Sequence, residues 1–527
     1  MSTQAPPASA WAPLRIAAFR SLWLALLASN IGTWMQTVGA QWLLVEQSGI
    51  DTLVAVVQTA STLPIVLLAL PSGALADTFD RRRLLIAVQL FLTAVGVLLT
   101  VLTLGGHMPP SLLLTLTFVL GAGQALTAPA WQALIPELVP RAQLASASAL
   151  GAISMNLARA VGPAVAGVLI AQAGTAVVFG LNTLSFAVFA LVLWLWKPAA
   201  ADSGGMPEPF VAAVRSGSRY VRHSPVVRRI LLRAALFLVS GSALWALLPL
   251  VASRRLGLGS GGYGILLAAV GLGAVGGALL LPRMRARWSM NRLLLTASVG
   301  FAVVLAVLGL VRSEAAVVVA LIPAGVAWVM VLSSVNAAMQ LFLPNWVRAR
   351  GLAVYQMVFA GAQAVGALAW GALSDAVGLM PALVAAAGLM LAGAVTLRWW
   401  PMRDTSGLNR DPANYWPVPH LELDPEEHDG PVLVLTSYPV SAEREEAFVD
   451  AMRDVRRSRL RTGAVRWGLF QDGERAGRYV EAYLVPSWDE HLRQHTGRLT
   501  GTDQAIEERA KALADGPPEV SHLLSRE

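Results

Sequence analysis

Twelve apolar runs, separated by short polar breaks, occupy the first 400 positions. They lie near 21–45, 52–76, 84–105, 110–132, 146–172 and 174–196, and then, after a longer polar break, near 228–252, 261–282, 290–311, 315–342, 350–374 and 378–400. A helix of roughly 20 mostly apolar residues crosses about 30 Å of hydrocarbon, so the pattern predicts twelve transmembrane helices. Beyond Trp399-Trp400-Pro401 the pattern changes to a polar stretch rich in Pro and Asp, and then to short alternating segments.

The halves of the apolar region can be laid on each other at an offset of 204. Gly73-Ala74-Leu75 then falls on Gly277-Ala278-Leu279, and Arg81 and Arg83 fall on Arg285 and Arg287. Pro140 meets Pro344, Val161-Gly162 meets Val365-Gly366, Gly167 meets Gly371, and Gly174 meets Gly378. One offset held over a hundred residues predicts two six-helix pseudo-repeats, with a binding site between them near mid-membrane.

Composition agrees with this pattern. The chain is 55% hydrophobic and 14% charged, against about 25% charged in an ordinary soluble domain. Residues 1–400 carry 24 basic and 9 acidic side chains, and residues 401–527 carry 16 and 23. The arginines of the first part stand in short alternate loops (Arg81-Arg82-Arg83, Arg141, the 197–229 segment, Arg283 to Arg292, Arg348 and Arg350). The other loops hold Arg254, Arg255 and Arg312 beside Glu46, Asp51, Glu314 and Asp375. The positive-inside rule then places both termini on the cytoplasmic side of the membrane, and the basic balance reports topology rather than a nucleic-acid partner. No cleaved signal peptide is expected, since Met1–Pro13 lacks its pattern. There are no cysteines, which excludes disulfides and thiolate chemistry.

Two segments carry candidate chemistry. Gly73-Ala74-Leu75-Ala76-Asp77-Thr78-Phe79-Asp80-Arg81-Arg82-Arg83 joins the second and third spans and combines a small residue, Gly73, and an acid, Asp77, with Arg81, Arg82 and Arg83. The acid and the arginines can pair across a cytoplasmic seam. In the fifth span, Arg159-Ala160-Val161-Gly162-Pro163-Ala164-Val165-Ala166-Gly167 combines a mid-span cation with a helix-bending proline and close-packing glycines. A buried arginine is costly unless it is paired or faces water, so Arg159 is a cavity or gate candidate, with snorkelling towards an interface as its alternative. Candidate cavity groups are Gln36, Gln41, Gln124 and Asn156 in the first half and Trp245, Asn336, Tyr355 and Gln356 in the second. Such groups suit an amphipathic ligand, and serve equally well as interhelical hydrogen-bond partners.

The tail reads as strand Val432–Tyr438, a helix from a Ser441 cap to about Ser458, a hairpin of Val465–Phe470 and Tyr479–Val485 around Asp472-Gly473, a helix opened by Ser487-Trp488-Asp489-Glu490, another near 502–514, and a strand at Glu519–Leu524. This order predicts a ferredoxin-like α+β domain. His491, His495, Trp467 and Trp488 are candidate pocket residues there, or surface histidines and core tryptophans. No metal spacing, phosphate loop or nucleophile motif occurs, and no cofactor is expected. The expected domains are 1–200, a central loop 201–227, 228–400, a linker 401–429, and the cytosolic domain 430–527.

The Gly73–Arg83 segment resembles the signature G-x-x-x-D-x-x-G-R-x-x of the major facilitator superfamily, with Asp80 in place of the second glycine, and the resemblance implies that Gly73, Asp77, Arg81, Arg82 and Arg83 form a cytoplasmic gate. The Arg159–Gly167 segment resembles that superfamily's antiporter signature. With Ser458–Phe470 and Ser487–His495, the chain resembles the bacterial transmembrane secretion effector branch, similar to the enterobactin exporter. The resemblance implies a transporter rather than an enzyme, exporting small hydrophobic or siderophore-like molecules by alternating access, with a proton as coupling ion. It carries no proton-carrying residue over: the frequent arginine of the fourth span is missing around Val119–Gln124. Self-association through the tail is a further expectation. The alternative is a membrane-anchored enzyme with a monooxygenase-like tail, resembling the small dimeric α+β barrel domains.

Overall fold

The computed structural model describes residues 11–47, 50–140, 143–197, 210–405, 407–417, 422–423, 425–426 and 429–525, without certain helix side chains, Gly73, Asp77 and Asn156 among them. Arg141 lies outside the described residues. The chain forms two compact units. One comprises Met1–Pro207, Leu232–Val335 and Gln356–Pro401, and the other Glu208–Leu231, Asn336–Tyr355 and Met402–Glu527.

In the first unit, α1 (Ala17–Gln47), α2 (Asp51–Thr78), α3 (Arg81–Leu104), α4 (Pro110–Leu138), α5 (Leu144–Ala173) and α6 (Thr175–Leu195) form the first half. After α7 (Phe210–His223) come α8 (Pro225–Leu250), α9 (Ser260–Arg287), α10 (Met290–Leu310), α11 (Glu314–Phe342), α12 (Asn345–Val377) and α13 (Leu379–Val395). Eleven helices among the described residues are long and apolar enough to cross a membrane, and α1, at 31 residues, is not one of them. Proline opens α4 at its first position, where no amide is lost to the helix.

The halves share a local device that only glycine permits. Gly174 ends α5 and begins α6 at φ 81°, and Gly378, 204 positions on, stands between α12 and α13 at φ 94°. A positive φ strains any residue with a β-carbon, so both one-residue turns require glycine.

The second unit holds α7, the ends of α8, α11 and α12 that belong to it, and the tail. The tail contains β1 (Val432–Pro439), α14 (Glu445–Thr462), β2 (Arg466–Gln471), β3 (Arg478–Val485), α15 (Trp488–Arg493), α16 (Gly501–Lys511) and β4 (Glu519–Leu524). The sheet order is β2-β3-β1-β4, with every neighbouring pair antiparallel. Alternation along β1 and β3 turns Val434, Tyr438, Tyr479 and Val485 to the buried side.

Two segments expected to connect domains carry structure of their own. The central loop contains a helix, α7, and the expected linker is partly folded onto the tail. Ala413 N donates to Leu499 O at 3.0 Å and Gly501 N to Asp411 O at 3.1 Å. Ser441 makes no side-chain cap and bonds Asp515 instead, at 3.3 Å. Ser487 does cap α15, accepting from Glu490 N at 3.2 Å, while the reciprocal capping box is found at Thr500 and Asp503.

Candidate transport site

Helix α1 presents Trp34, Thr37, Val38 and Gln41 on one face, at spacings of three and four residues. These residues line a cavity with Gln58 of α2, Pro163 of α5, Trp245 of α8, and Tyr263 and Leu267 of α9. Both halves therefore contribute walls. Gln41 Nε2 donates to the Trp245 carbonyl at 3.0 Å, and Tyr263 Oη donates to Gln41 Oε1 at 3.1 Å. Trp42 stacks on Tyr263 with centroids 5.6 Å apart. Trp34 and Trp245 lie 6.0 Å apart, and Trp245 continues an aromatic cluster through Trp328 to Phe237 and Phe301.

The other candidates divide. Gln36 accepts from Asn182 of α6, and Gln124 donates to Thr33 at 3.2 Å, so both make interhelical bonds within the first half. The Asn156 side chain lies outside the described ones. Gln356 is exposed on α12. Asn336 and Tyr355 belong to the second unit, with the helix ends that join the tail, rather than with the cavity-lining residues. There Asn336 accepts from Gln340 at 3.3 Å, and Tyr355 is buried.

The Arg159 guanidinium lies 5.3 Å from the Trp34 ring centroid. Gly162 sits against α1, where a β-carbon would stand 2.7 Å from Trp34 Cβ and 3.0 Å from the Ile31 carbonyl. Gly167 meets Gly264 of α9, where a β-carbon on Gly264 would stand 2.8 Å from Gly167 Cα. The antiporter-like segment therefore lets α5 approach both its own half and the other.

At the helix ends around Arg81–Arg83, the bonds of Arg81 and Arg82 among the described residues lie inside the first half. Arg81 pairs with Glu137 of α4 at 2.6 Å, and Arg82 donates to the carbonyls of Leu193 (2.9 Å) and Trp194 (2.7 Å) at the end of α6. Such carbonyls attract cations. Asp80 accepts from Arg83 N at 2.7 Å as the cap of α3, a role that the sequence reading did not assign to it.

The opposite helix ends hold a polar lock between the halves. Asp51 of α2 pairs with Arg254 beyond α8 and accepts from Ser374 of α12 at 2.6 Å. Asp375 accepts from Asp51 N at 2.7 Å, from Thr52 N at 2.9 Å and from the Thr52 hydroxyl. Sequence reasoning placed these charges near one face but did not pair them. No local signal pairs them, since Arg254 and Asp51 stand 203 positions apart.

In the tail, Arg459 is buried between Glu481 (3.0 Å) and Glu507 (2.9 Å). Trp467 donates to Glu481 at 2.8 Å. From the folded-back linker, Tyr415 donates to Glu507 at 2.9 Å and Trp416 at 3.0 Å, and Trp416 lies 4.9 Å from His495. Burial pushes the Glu507 carboxyl up, but Arg459, Lys511 and Tyr415 outweigh it and hold it down at about 2. The His491 and His495 rings meet at 3.2 Å between Nε2 atoms. Trp488 lies 5.3 Å from His491 and 6.1 Å from His522. Among the described residues no group of three or more His, Asp or Glu is placed to hold a metal.

The tail also binds the helix ends within its own unit. Glu490 accepts from Arg219 of α7 at 2.8 Å and from Arg498 at 2.5 and 2.8 Å. Arg410 donates to the Tyr220 hydroxyl at 3.2 Å and to the Phe342 carbonyl of α11 at 2.5 Å. The Arg498 guanidinium lies 4.8 Å from the Trp346 ring of α12.

A polytopic helical bundle with a cavity between its halves is the architecture of a membrane transporter. Residues 8–527 match the model of the transmembrane secretion effector family, and the chain belongs to that family, within the major facilitator superfamily. It is 28% identical over 411 residues to the multidrug efflux pump Tap of Mycobacterium tuberculosis (strain ATCC 25618 / H37Rv), covering 73% of this chain and 94% of that one. It is 25% identical over 267 residues to the staphyloferrin A transporter of Staphylococcus aureus, covering 48% of this chain and 64% of that one. It is 23% identical over 235 residues to macrolide efflux protein A of Streptococcus pyogenes, covering 44% of this chain and 58% of that one. The chain thus spans about two thirds or less of the length of the last two. A bacterial homologue of the human lysosomal transporter Spinster, in an inward-facing and unoccupied conformation, shares the fold at a TM-score of 0.57 and 16% identity, over 73% of this chain and 95% of that one. The family and these relatives are transporters rather than enzymes, and they give the tail-enzyme alternative no support.

Proposed function

We propose that this chain is a secondary exporter, driven by the proton-motive force, that moves small amphipathic or siderophore-like molecules by rocking its two halves about the Trp34–Trp245 cavity. The carrying observation is the asymmetry of its bonds. The lock of Asp51, Arg254, Ser374 and Asp375 joins the halves at one end, while Arg81 and Arg82 at the other are bonded inside the first half. That is the arrangement expected of a state closed outward, and in this reading Asp77 and Arg81–Arg83 take up their cross-half role when the cytoplasmic seam closes. Family membership and the names of the relatives support efflux. In this reading α1 completes twelve spans, both termini are cytoplasmic, the tail is a ferredoxin-like domain, and a second copy docks on its open sheet face, where Phe470 and Leu523 are exposed.

The test is accumulation of dyes, drugs and ferric siderophores in efflux-deficient cells expressing wild type or Asp77→Asn, with and without an uncoupler. Lower accumulation that the substitution and the uncoupler both abolish is the expected result. Unchanged accumulation of every compound, with protein confirmed in the membrane, overturns the reading.

A further inference from the structure

Resting on that export reading, we infer that the cargo is an amphipathic anion, received at mid-bundle by the Arg159 guanidinium with its apolar part against Trp34 and Trp245. Every acid of the long helices (Glu46, Asp51, Asp77, Glu137, Glu314 and Asp375) stands within two residues of a helix end. Arg159 stands midway between Leu144 and Ala173, the bounds of α5, and no other charged residue of these helices is so far from an end.

Geometry brings this cation beside the cavity, against two of the residues that line it. Pro163, one turn along α5 on the same face, lines it. Trp34, whose ring lies 5.3 Å from the guanidinium, lines it too. Indole faces offer stacking surface, while Gln58 and Gln41 offer neutral polar groups. A fixed cation in a low-dielectric wall raises the local concentration of anions and repels cations, and a guanidinium receives carboxylate or phosphate oxygens through two parallel bonds. The same charge placement bears on energetics. An intramembrane ionisable group marks a substrate or ion pathway, and an anion leaving a negative cell interior moves down the electrical gradient. The electrical part of the proton-motive force can then act on the cargo itself.

The test uses the full-length protein in phosphatidylethanolamine–phosphatidylglycerol vesicles, with xanthene dyes matched in ring system: carboxylated anions, rhodamine-type cations and neutral esters. A potassium gradient with valinomycin sets the potential. The expected result is transport of the anions, accelerated by a potential negative on the side they leave, with cations refused. Arg159→Gln should lower anion transport about tenfold or more, the worth of a charge-assisted hydrogen bond, and lower it more than transport of the neutral esters, and Arg159→Lys should restore part of it. Transport confined to cations or neutral dyes overturns the inference and leaves the export reading standing. So does loss of every class together in Arg159→Gln, which would make the residue structural, or unchanged anion transport by that variant. Transport of no dye of any class, from a protein monodisperse in detergent, overturns the export reading with it.

Discussion

Gln41 donates its side-chain amide to the carbonyl of Trp245, the residue one repeat offset of 204 further along the chain, at 3.0 Å. A contact between repeat-equivalent positions lies where the two halves face each other, and Tyr263 closes it by donating to the same glutamine. Gln41→Leu keeps the volume and removes both bonds, leaving the buried Tyr263 hydroxyl without this acceptor, at a cost of about 1–3 kcal/mol to the present state. Because the chain has no cysteine, spin labels can be placed at Leu104→Cys and Val377→Cys, exposed positions at the ends of α3 and α12. The distance distribution between them should broaden towards longer values in Gln41→Leu. An unchanged distribution would deny Gln41 any part in holding the halves.

Asp51 is the hub of the polar lock, so Asp51→Asn should loosen it more than any single change at Thr52 or Ser374. The neutral amide loses the ion pair with Arg254 and weakens the bond from Ser374. Breaking a largely buried pair is worth about 3–5 kcal/mol, and partial exposure of Arg254 discounts this to a few. The same label pair should report a population shift to the separated state, with export slowed about tenfold or more. Export at the wild-type rate with an unshifted distance would remove the lock from the cycle.

Much of this was legible in the sequence, for physical reasons. Helix existence follows from apolar run length, and the shared turn at Gly174 and Gly378 follows from the offset together with the backbone freedom of glycine. The strands of the tail follow from their period-two alternation. Partnerships across the bundle were less legible. Nothing local in Gln36 distinguishes a glutamine that bonds Asn182 from one, like Gln41, that reaches the other half. Both are apolar-helix glutamines five residues apart, and only packing decides which face meets which helix. The folding of the linker onto the tail was not legible because Tyr415 and Trp416 stand in a Pro- and Asp-rich stretch, and their hydrogen-bond acceptor, Glu507, is about ninety residues away.

Gly167 predicts the cost of separating α5 from α9. Gly167→Leu has no room at the Gly264 contact, since backbone and not a flexible side chain stands opposite. Overpacking of this kind costs about 1–3 kcal/mol or more. The variant should insert normally, because leucine is apolar, yet melt lower in detergent and export poorly. Gly264→Leu should do the same. A wild-type melting temperature for both variants would show that the two helices do not meet at these glycines.

The tail supplies a pH dependence whose sign can be worked out. Burial, followed by His495 and His522, lowers His491 to about 3, and burial, followed by His522, lowers His495 to about 4. Both titrate near 6.5 when unfolded. Between those values the unfolded segment binds protons that the folded one refuses, so stability falls as pH drops from about 7 towards 4. Glu507, held down at about 2, adds a loss of the same sign further down, as pH falls below its ordinary value of about 4.5. A tenfold difference in proton affinity between the folded and unfolded chain is worth about 1.4 kcal/mol, so the loss amounts to a few kcal/mol. Hydrogen exchange of 488–498 in the full-length protein, corrected for intrinsic rates, should show falling protection from about pH 7.5 to about pH 5. In a His491→Gln, His495→Gln double variant the slope should flatten. Protection that stays level in the wild type would mean that the histidine pair takes up its protons without opening the fold.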